Sequence, residues 1–385
     1  LGQVGQLFQH RVVQCKTGAT QQRQIIHGRG GPRPIHLGGF EHQGYAAQSQ
    51  GQTQQRPAGG ALIQQQPCKQ HRPGGHGVKK QHHPHHIAQG HPPVEGGIGR
   101  PITGMQVQPL NGLLPTEEGG VLTLSSIYYD GNFERSRNVP IAGELTGGLD
   151  YGVSYNMLNG VFIWNTSEKW SLATTVGIPI QHTKIHAYLS NREFEDSSTK
   201  IGDAMFSPLM VNYHLNPIMH TLFGVSIYAP TGSYDASKLS NAGQNTWTFV
   251  PNIAFTTILP KMNAEITTNM AYEFYTKNDA TDYTNGDIFR LDLLGLKRFG
   301  EVGGDGLGLG AVFGYIEQTT DDEGRLADRL NGFKGRALGA GPILTYDKKL
   351  SKTSGISASL RGVYEFDVKN RPEGEAYQFS INYQY

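Results

Sequence analysis

An all-β membrane barrel of about 12 antiparallel strands is the fold this sequence predicts, and three observations predict it. The last stretch, Tyr377 to Tyr385, alternates strictly: Tyr377, Phe379, Ile381, Tyr383 and Tyr385 against Gln378, Ser380, Asn382 and Gln384. Successive side chains of a strand point to opposite faces, so this segment has one greasy face and one wet face. A soluble sandwich strand shows the same alternation, but here the apolar face is rich in tyrosine, where a packed core favours Val, Ile and Leu. Aromatic girdles of that kind sit at the membrane–water boundary of transmembrane barrels. The third observation is that the connections between predicted strands alternate long and short.

Residues 1–92 come first and read differently from the rest. Of the 385 residues, this stretch holds eleven of the 15 histidines and ten Lys/Arg against a single acid, Glu41; beyond it the balance is 23 basic to 31 acidic. It contains no Met, Asn, Asp or Trp and sustains no hydrophobic period, so it is expected to be disordered. It also lacks the pattern of a secretory signal, and its composition reads as a wrong start or wrong frame standing where a signal peptide belongs. The run from His76 through His82, His83, His85 and His86 offers imidazoles, yet nothing fixes a coordination geometry, and no metal or cofactor is expected. The basic excess lacks the aromatic interleaving of a nucleic-acid surface, so no nucleic-acid partner is expected. Both cysteines, Cys15 and Cys68, lie here, which leaves the remaining chain without a disulfide.

Residues 93–119 are irregular and rich in Gly and Pro. Their position directly before the first strand suggests a plug that enters the lumen from the turn side, with Arg100, Gln106 and Gln108 pairing to wall carboxylates such as Glu273 or Glu365. Non-regular backbone at membrane depth is tolerated only where protein or water surrounds it.

From residue 120 to 385 the barrel strands follow, at about 120–129, 149–164, 170–181, 203–215, 218–230, 245–259, 263–275, 287–298, 306–316, 336–346, 355–366 and 375–385. In the third, Trp170, Leu172, Val176, Ile178 and Ile180 oppose Ser171, Ala173, Thr175 and Gly177. In the seventh, Ile266, Met270, Tyr272 and Phe274 oppose Glu265, Thr267, Asn269 and Glu273. Carboxylates and guanidinium groups at mid-strand are costly against hydrocarbon, so the polar face turns inward. That face carries few large side chains, the reverse of a soluble barrel's interior. Connections after odd strands (130–148, 182–202, 231–244, 276–286, 317–335, 367–374) are mostly long. Those after even strands (165–169, 216–217, 260–262, 299–305, 347–354) are mostly short. Short periplasmic turns and long outer loops are the habit of bacterial outer-membrane barrels. The cell outer membrane, with its lipid as solvent, is the expected location.

Several stretches carry a family resemblance: Ser226 to Asp235 (with Pro230, Thr231, Gly232, Tyr234 and Asp235), Asn241 to Pro251 (with Trp247 and Pro251), Asn278 to Asp287, and Glu365 to Gly374 (with Asn370, Arg371, Pro372 and Gly374). Gly202-Asp203, Pro208 and His214 fit the same pattern. Residues 95–385 thereby resemble the outer-membrane transporter family named for the meta-cleavage pathway of phenol degradation. The resemblance implies an outer-membrane barrel that passes hydrophobic or aromatic small molecules. The same motifs are also good turn chemistry. The closing strand with its terminal aromatic resembles the signal read by the barrel assembly machinery, which makes that machinery an expected partner and Tyr377, Phe379, Ile381, Tyr383 and Tyr385 the residues it would read.

By alternation the lumen, and with it the solute path, is lined by Asn212, His214, Ser226, Tyr228, Glu265, Glu273, Arg290, Asp292, Arg361 and Glu365. The plain alternative is that Arg290, Asp292, Arg361 and Glu365 neutralise one another across the barrel. A lipid hydrolase would need a serine beside an imidazole base. Two residues after each barrel histidine stand Lys184, Tyr188, Asn216 and Leu222, so no His-x-Ser pair is present. A structural or adhesive barrel acting through its outer loops is the third option. The channel is the reading adopted, with no catalytic residues.

Overall fold

The computed structural model describes residues 99–139, 143–189, 192–300, 305–324, 327, 332 and 334–385; the segment 1–92, with its histidine cluster, lies outside them. The strands are β1 (Gly119–Val139), β2 (Gly143–Thr166), β3 (Trp170–Leu189), β4 (Arg192–Ile201), β5 (Met205–Asn216), β6 (Met219–Tyr228) and β7 (Thr248–Leu259). They continue as β8 (Ala264–Tyr275), β9 (Ile288–Arg298), β10 (Gly306–Gln318), β11 (Arg336–Lys349), β12 (Gly355–Lys369) and β13 (Glu373–Gln384). β1 pairs with β13 from Val121↔Gln384 to Asn132↔Glu373, which closes the ring. β4 and β5 share one place in it: β3 pairs with β4 over Ile180–Leu189 and with β5 over Trp170–Gly177. The result is a closed antiparallel barrel of 12 strand positions. No helix among the described residues is long and apolar enough to cross a membrane.

The outward face is the apolar one. Val176, Ile178, Ile180, Phe223, Phe255, Ile266, Leu309, Leu344 and Leu360 are all exposed, while Ser171, Thr175, Thr256, Thr267 and Ser359, on the other parity, are buried. Only a hydrocarbon solvent makes that distribution favourable. The barrel is therefore membrane-embedded, of the bacterial outer-membrane type. Tyr377, Phe379, Ile381, Tyr383 and Tyr385 all lie on its outer surface. The last of them is tied to the first strand by reciprocal backbone hydrogen bonds between Gly120 and Tyr385.

Three sequence expectations need correction. The described residues of 130–148 and of 182–201 are strand and not loop: β1 and β2 extend as a long antiparallel pair, and so do β3 and β4. Beyond the bilayer both faces of a strand meet water, so pairing continues while the hydrophobic alternation that marks a strand fades. The fourth strand is broken at Gly202–Ala204, where Asp203 turns inward. The interior is also less polar than the pattern implies. Leu294, Leu296, Val312, Ile343 and Val363 point inward and form one buried cluster with Met105 and Val107 of the segment before β1. Large inward side chains find apolar partners there because the lumen is occupied by chain.

Candidate functional site

Residues 99–118 run through the lumen from the loop end to the turn end. At the loop end, Gly99 O accepts from Gln244 Nε2 at 2.9 Å and Arg100 N donates to Tyr275 Oη at 3.0 Å. The Arg100 guanidinium donates to Asp203 at 2.9 Å and to Thr248 Oγ1 at 2.6 Å, and lies 4.7 Å above the Tyr228 ring. Midway, Thr103 donates to Glu365 at 2.5 Å and Gly104 N to Asp292 at 3.1 Å. The Arg361 guanidinium donates to the carbonyls of Gly104 and Val107 and to Gln108 Oε1. Toward the turn end, Leu110 N reaches Glu265, Gly112 N reaches Thr256 Oγ1 and Leu114 N reaches Asn212 Oδ1, at 2.8, 2.9 and 3.0 Å. Irregular backbone has its polar groups satisfied by the wall, which is the condition for lying at membrane depth.

Close approach is allowed by missing side chains. Gly104 adopts φ +73°, a conformation disfavoured for L-residues with a Cβ. Opposite it, a Cβ on Gly314 of β10 would stand 2.7 Å from Gly104 Cα.

The ten alternation-selected residues all lie on the inward face, but their partners divide. Arg290 pairs with Asp292 at 2.6 Å and lies 3.8 Å from Glu273, one cation held between two carboxylates. Arg361 and Glu365 instead serve the luminal segment, Glu365 also accepting from Tyr129 Oη at 2.9 Å and from Gly374 N at 3.1 Å. Glu265 is held by Arg298 at 2.7 Å, and Arg298 also pairs with Asp347. Ser226 and Tyr228 line an open cavity. Arg100 takes Asp203 as its ion-pair partner in place of the expected Glu273 or Glu365. Asp203, Arg298 and Asp347 were missed as wall residues. Arg298 shares the parity of Arg290 and Asp292, so alternation alone was enough to find it.

The family motifs converge on the loop end of this segment. Asp203 accepts from Gly232 N and Gln244 N at 2.9 Å each besides Arg100, and Ala204 N donates to Thr231 Oγ1 at 2.9 Å. Pro230 and Thr231 thus bend the loop so that Gly232 can lie over the break in the fourth strand. Tyr234 accepts from Asn278 at 2.8 Å, and Asp235 receives the Ser237 N–H and hydroxyl. Those bonds, the hydroxyl's first, hold the Asp235 carboxyl below its usual range. Trp247 is exposed and stacks on Phe249, and Pro251 stands in β7 opposite Val225. Arg371 is buried and donates to Pro101 O at 3.0 Å, the Pro372 carbonyl accepts from Tyr129 Oη at 3.0 Å, and Asn370 takes a positive φ of 51° at the turn.

The segment does not fill the lumen. A cavity of about 580 Å³ remains between it and the wall. Ile127, Tyr129, Tyr151, Val153, Tyr155, Met157, Val161 and Ile185 line it from β1–β3, with Ser380 and Asn382 from β13. Arg100, Arg290, Arg371, Asp203, Glu273 and Glu365 reach its rim. The wall of β5, β7, β8, β9 and β12 hydrogen-bonds the segment. β1–β3 border the cavity with Tyr, Ile, Val and Met side chains interspersed with Thr123, Ser125, Asn159, Gln181 and Thr183. Tyr129 and Val153 also pack in the cluster with Met105 and Val107.

A closed 12-position barrel with an outward apolar face and an internal segment defines this chain as an outer-membrane β-barrel protein. It belongs to the family described as "Putative MetA-pathway of phenol degradation", whose model matches residues 135–381. A crystal structure of an outer-membrane channel from Pseudomonas putida F1 matches with a TM-score of 0.54 at 14% identity, covering 73% of this chain and 100% of that one. A Pseudomonas aeruginosa FadL homologue matches at a TM-score of 0.39 and 9% identity, over 76% of this chain and 98% of that one. At these identities the likeness is one of fold, and it rests on the first. No curated protein matches the chain by sequence.

Proposed function

We propose that the barrel is an outer-membrane channel for the uptake of hydrophobic and aromatic small molecules, which pass along the β1–β3 and β13 wall beside the luminal segment. The observation that carries this reading is the lining of the 580 Å³ cavity. Its volume falls within the roughly 300–1,000 Å³ typical of small-molecule sites. Tyrosine faces and Ile, Val and Met side chains supply apolar contact. The charges at its rim are matched, three arginines against three carboxylates, with Arg100 on Asp203 and Arg290 beside Glu273. A neutral aromatic solute suits such a path better than an ion. Membership of a family described by phenol degradation, and the fold shared with a protein described as an outer-membrane channel, support the same reading. Lipid around the barrel and the assembly machinery acting on the closing strand are the partners it implies.

Flux into liposomes tests it. Neutral monoaromatic solutes should enter protein-containing vesicles faster than empty ones, and faster than benzoate-like anions of equal size. Met157→Arg places a charge at a half-buried cavity-lining position outside the packed clusters and should suppress that flux while leaving the folded barrel intact by heat-modifiability. Equal entry into empty vesicles, or flux indifferent to Met157→Arg, would refute the path.

A further inference from the structure

The turns that join β7 to β8, β9 to β10 and β11 to β12 lie side by side at the turn end, because those six strands are consecutive around the barrel. Hydrogen bonds tie them to one another. Asn263 Nδ2 donates to Arg298 O at 3.2 Å and Lys297 Nζ donates to Met262 O, which joins the first turn to the second. Asp305 accepts from Lys348 Nζ and from Lys349 N at 2.6 Å each, which joins the second to the third. On this platform Met262, Phe299 and Leu350 are 60%, 66% and 53% exposed. Lys261, Lys297, Lys348, Lys349 and Lys352 are exposed around them, and among the described residues only Lys348 of the five forms an ion pair. Two nearby carboxylates, Glu265 and Asp347, are already held by Arg298.

We infer that these three turns form a binding surface for anionic phospholipid of the turn-side leaflet, with Lys261, Lys297, Lys349 and Lys352 on the headgroup phosphates and Met262, Phe299 and Leu350 at the acyl boundary. Charge favours an anionic partner, and continuity with the lipid-facing wall makes that partner a lipid. Lys297 and Phe299 continue the outward parity of Leu293 and Gly295, and Lys348 and Leu350 continue that of Leu344 and Tyr346. Large apolar side chains left in water forgo the gain of burial, whereas the acyl boundary supplies it. A lysine at that depth lays its stem along apolar surface and carries its ammonium to the phosphate level, where a negative surface attracts it. The remainder of the turn end lacks this pattern. Glu168 stands beside Lys169 in the β2–β3 turn, Glu117 and Glu118 are exposed before β1, and residues 216–218 between β5 and β6 carry no charge. The headgroup preference is therefore confined to one sector of the ring.

Tryptophan quenching on the full chain in vesicles of equal phosphatidylglycerol and phosphatidylcholine tests the surface, with bromines near the headgroup end of the acyl chains on one lipid or the other. The reporter is Phe299→Trp combined with Trp164→Phe, Trp170→Phe and Trp247→Phe. Brominated phosphatidylglycerol should quench it about threefold more than brominated phosphatidylcholine. A control that keeps Trp170 as its one tryptophan, beside the β2–β3 turn, should be quenched equally by both lipids. Adding Lys261→Gln, Lys297→Gln, Lys349→Gln and Lys352→Gln to the reporter should equalise the two lipids while quenching persists. Raising salt to about 1 M, where the Debye length is about 3 Å, should do the same without any substitution in the platform's lysines. Equal quenching of the reporter by both lipids would overturn the inference, as would a preference that survives the glutamine substitutions or salt, or one shared by the control. Absence of quenching by either lipid would also overturn it, leaving the turns in water as a surface for an acidic protein. Lipid contact, not flux, is read out, so the result is independent of whether the barrel conducts.

Discussion

Replacing Arg361 with leucine should loosen the luminal segment more than any other single wall substitution. The guanidinium is buried and directs donors to Gly104 O, Val107 O and Gln108 Oε1, spanning five residues of the segment. Hydrogen bonds to a charged group contribute about 1.5–3 kcal/mol each. Removing the arginine also removes the cost of burying it, which offsets part of that sum. Leucine packs acceptably beside Met105 and Val363 but leaves two carbonyls without donors. A net loss of about 3 kcal/mol is the working figure, and it lowers the ratio of seated to displaced segment by roughly 150-fold. Planar-bilayer recording should show longer and larger openings than wild type, and amides over residues 104–108 should exchange faster. The barrel's strand ladder is untouched, so heat-modifiability should persist. Wild-type conductance together with wild-type exchange in Arg361→Leu would mean that this arginine does not seat the segment.

Other perturbations reach the same system from different sides. Gly314→Ala puts a methyl group where Gly104 lies and should displace the segment's midpoint, seen as faster exchange over residues 102–106; unchanged exchange would contradict the close approach. Asp203→Asn keeps an acceptor for one loop amide but gives up the buried ion pair with Arg100, and should increase proteolysis within residues 229–247 along with conductance. Proteolysis and conductance at wild-type levels would count against a shared anchor. Deleting Tyr383–Tyr385 removes outward aromatics and the pairing of Tyr385 with Gly120, and should cut membrane insertion well below that of an equal deletion in the 317–335 loop. Equal insertion of the two variants would remove the closing strand from its assembly role.

Strands were legible wherever one face meets lipid, because only that contact imposes a strict period of two. In β8 the run from Ile266 to Phe274 alternates with only Thr268 and Ala271 out of pattern, and its boundaries at 263–275 fall within a residue of Ala264–Tyr275. The outer part of the β3–β4 pair, from residue 182, reads as a loop because Lys184, His186, Glu193 and Glu195 sit in water on the outer face, where no pattern is enforced. At the break over Gly202–Ala204 Asp203 takes Arg100, 103 residues away, and the Gly232 and Gln244 amides as partners, which a strand period does not report. Inward Leu294 and Leu296 read as anomalies of a polar face until Met105 and Val107 are placed against them. Residue type and parity thus assign a face, whereas partners across the lumen depend on the path of a segment with no period of its own.

The luminal segment makes bonds to β5, β7, β8, β9 and β12, and it leads without a break into β1, the strand that meets β13 at the seam. Once that seam is shut, residue 99 at the loop end can be reached only by drawing the chain lengthwise through the bore. Insertion of a finished cylinder followed by threading is the slow route. Growth of an open sheet that curls around residues 99–118, gaining a bond with each strand added, is the fast one. The contacts that occupy the bore in the finished protein therefore double as an internal mandrel, and their weakening should appear first in the rate of closure, before any change in the closed barrel.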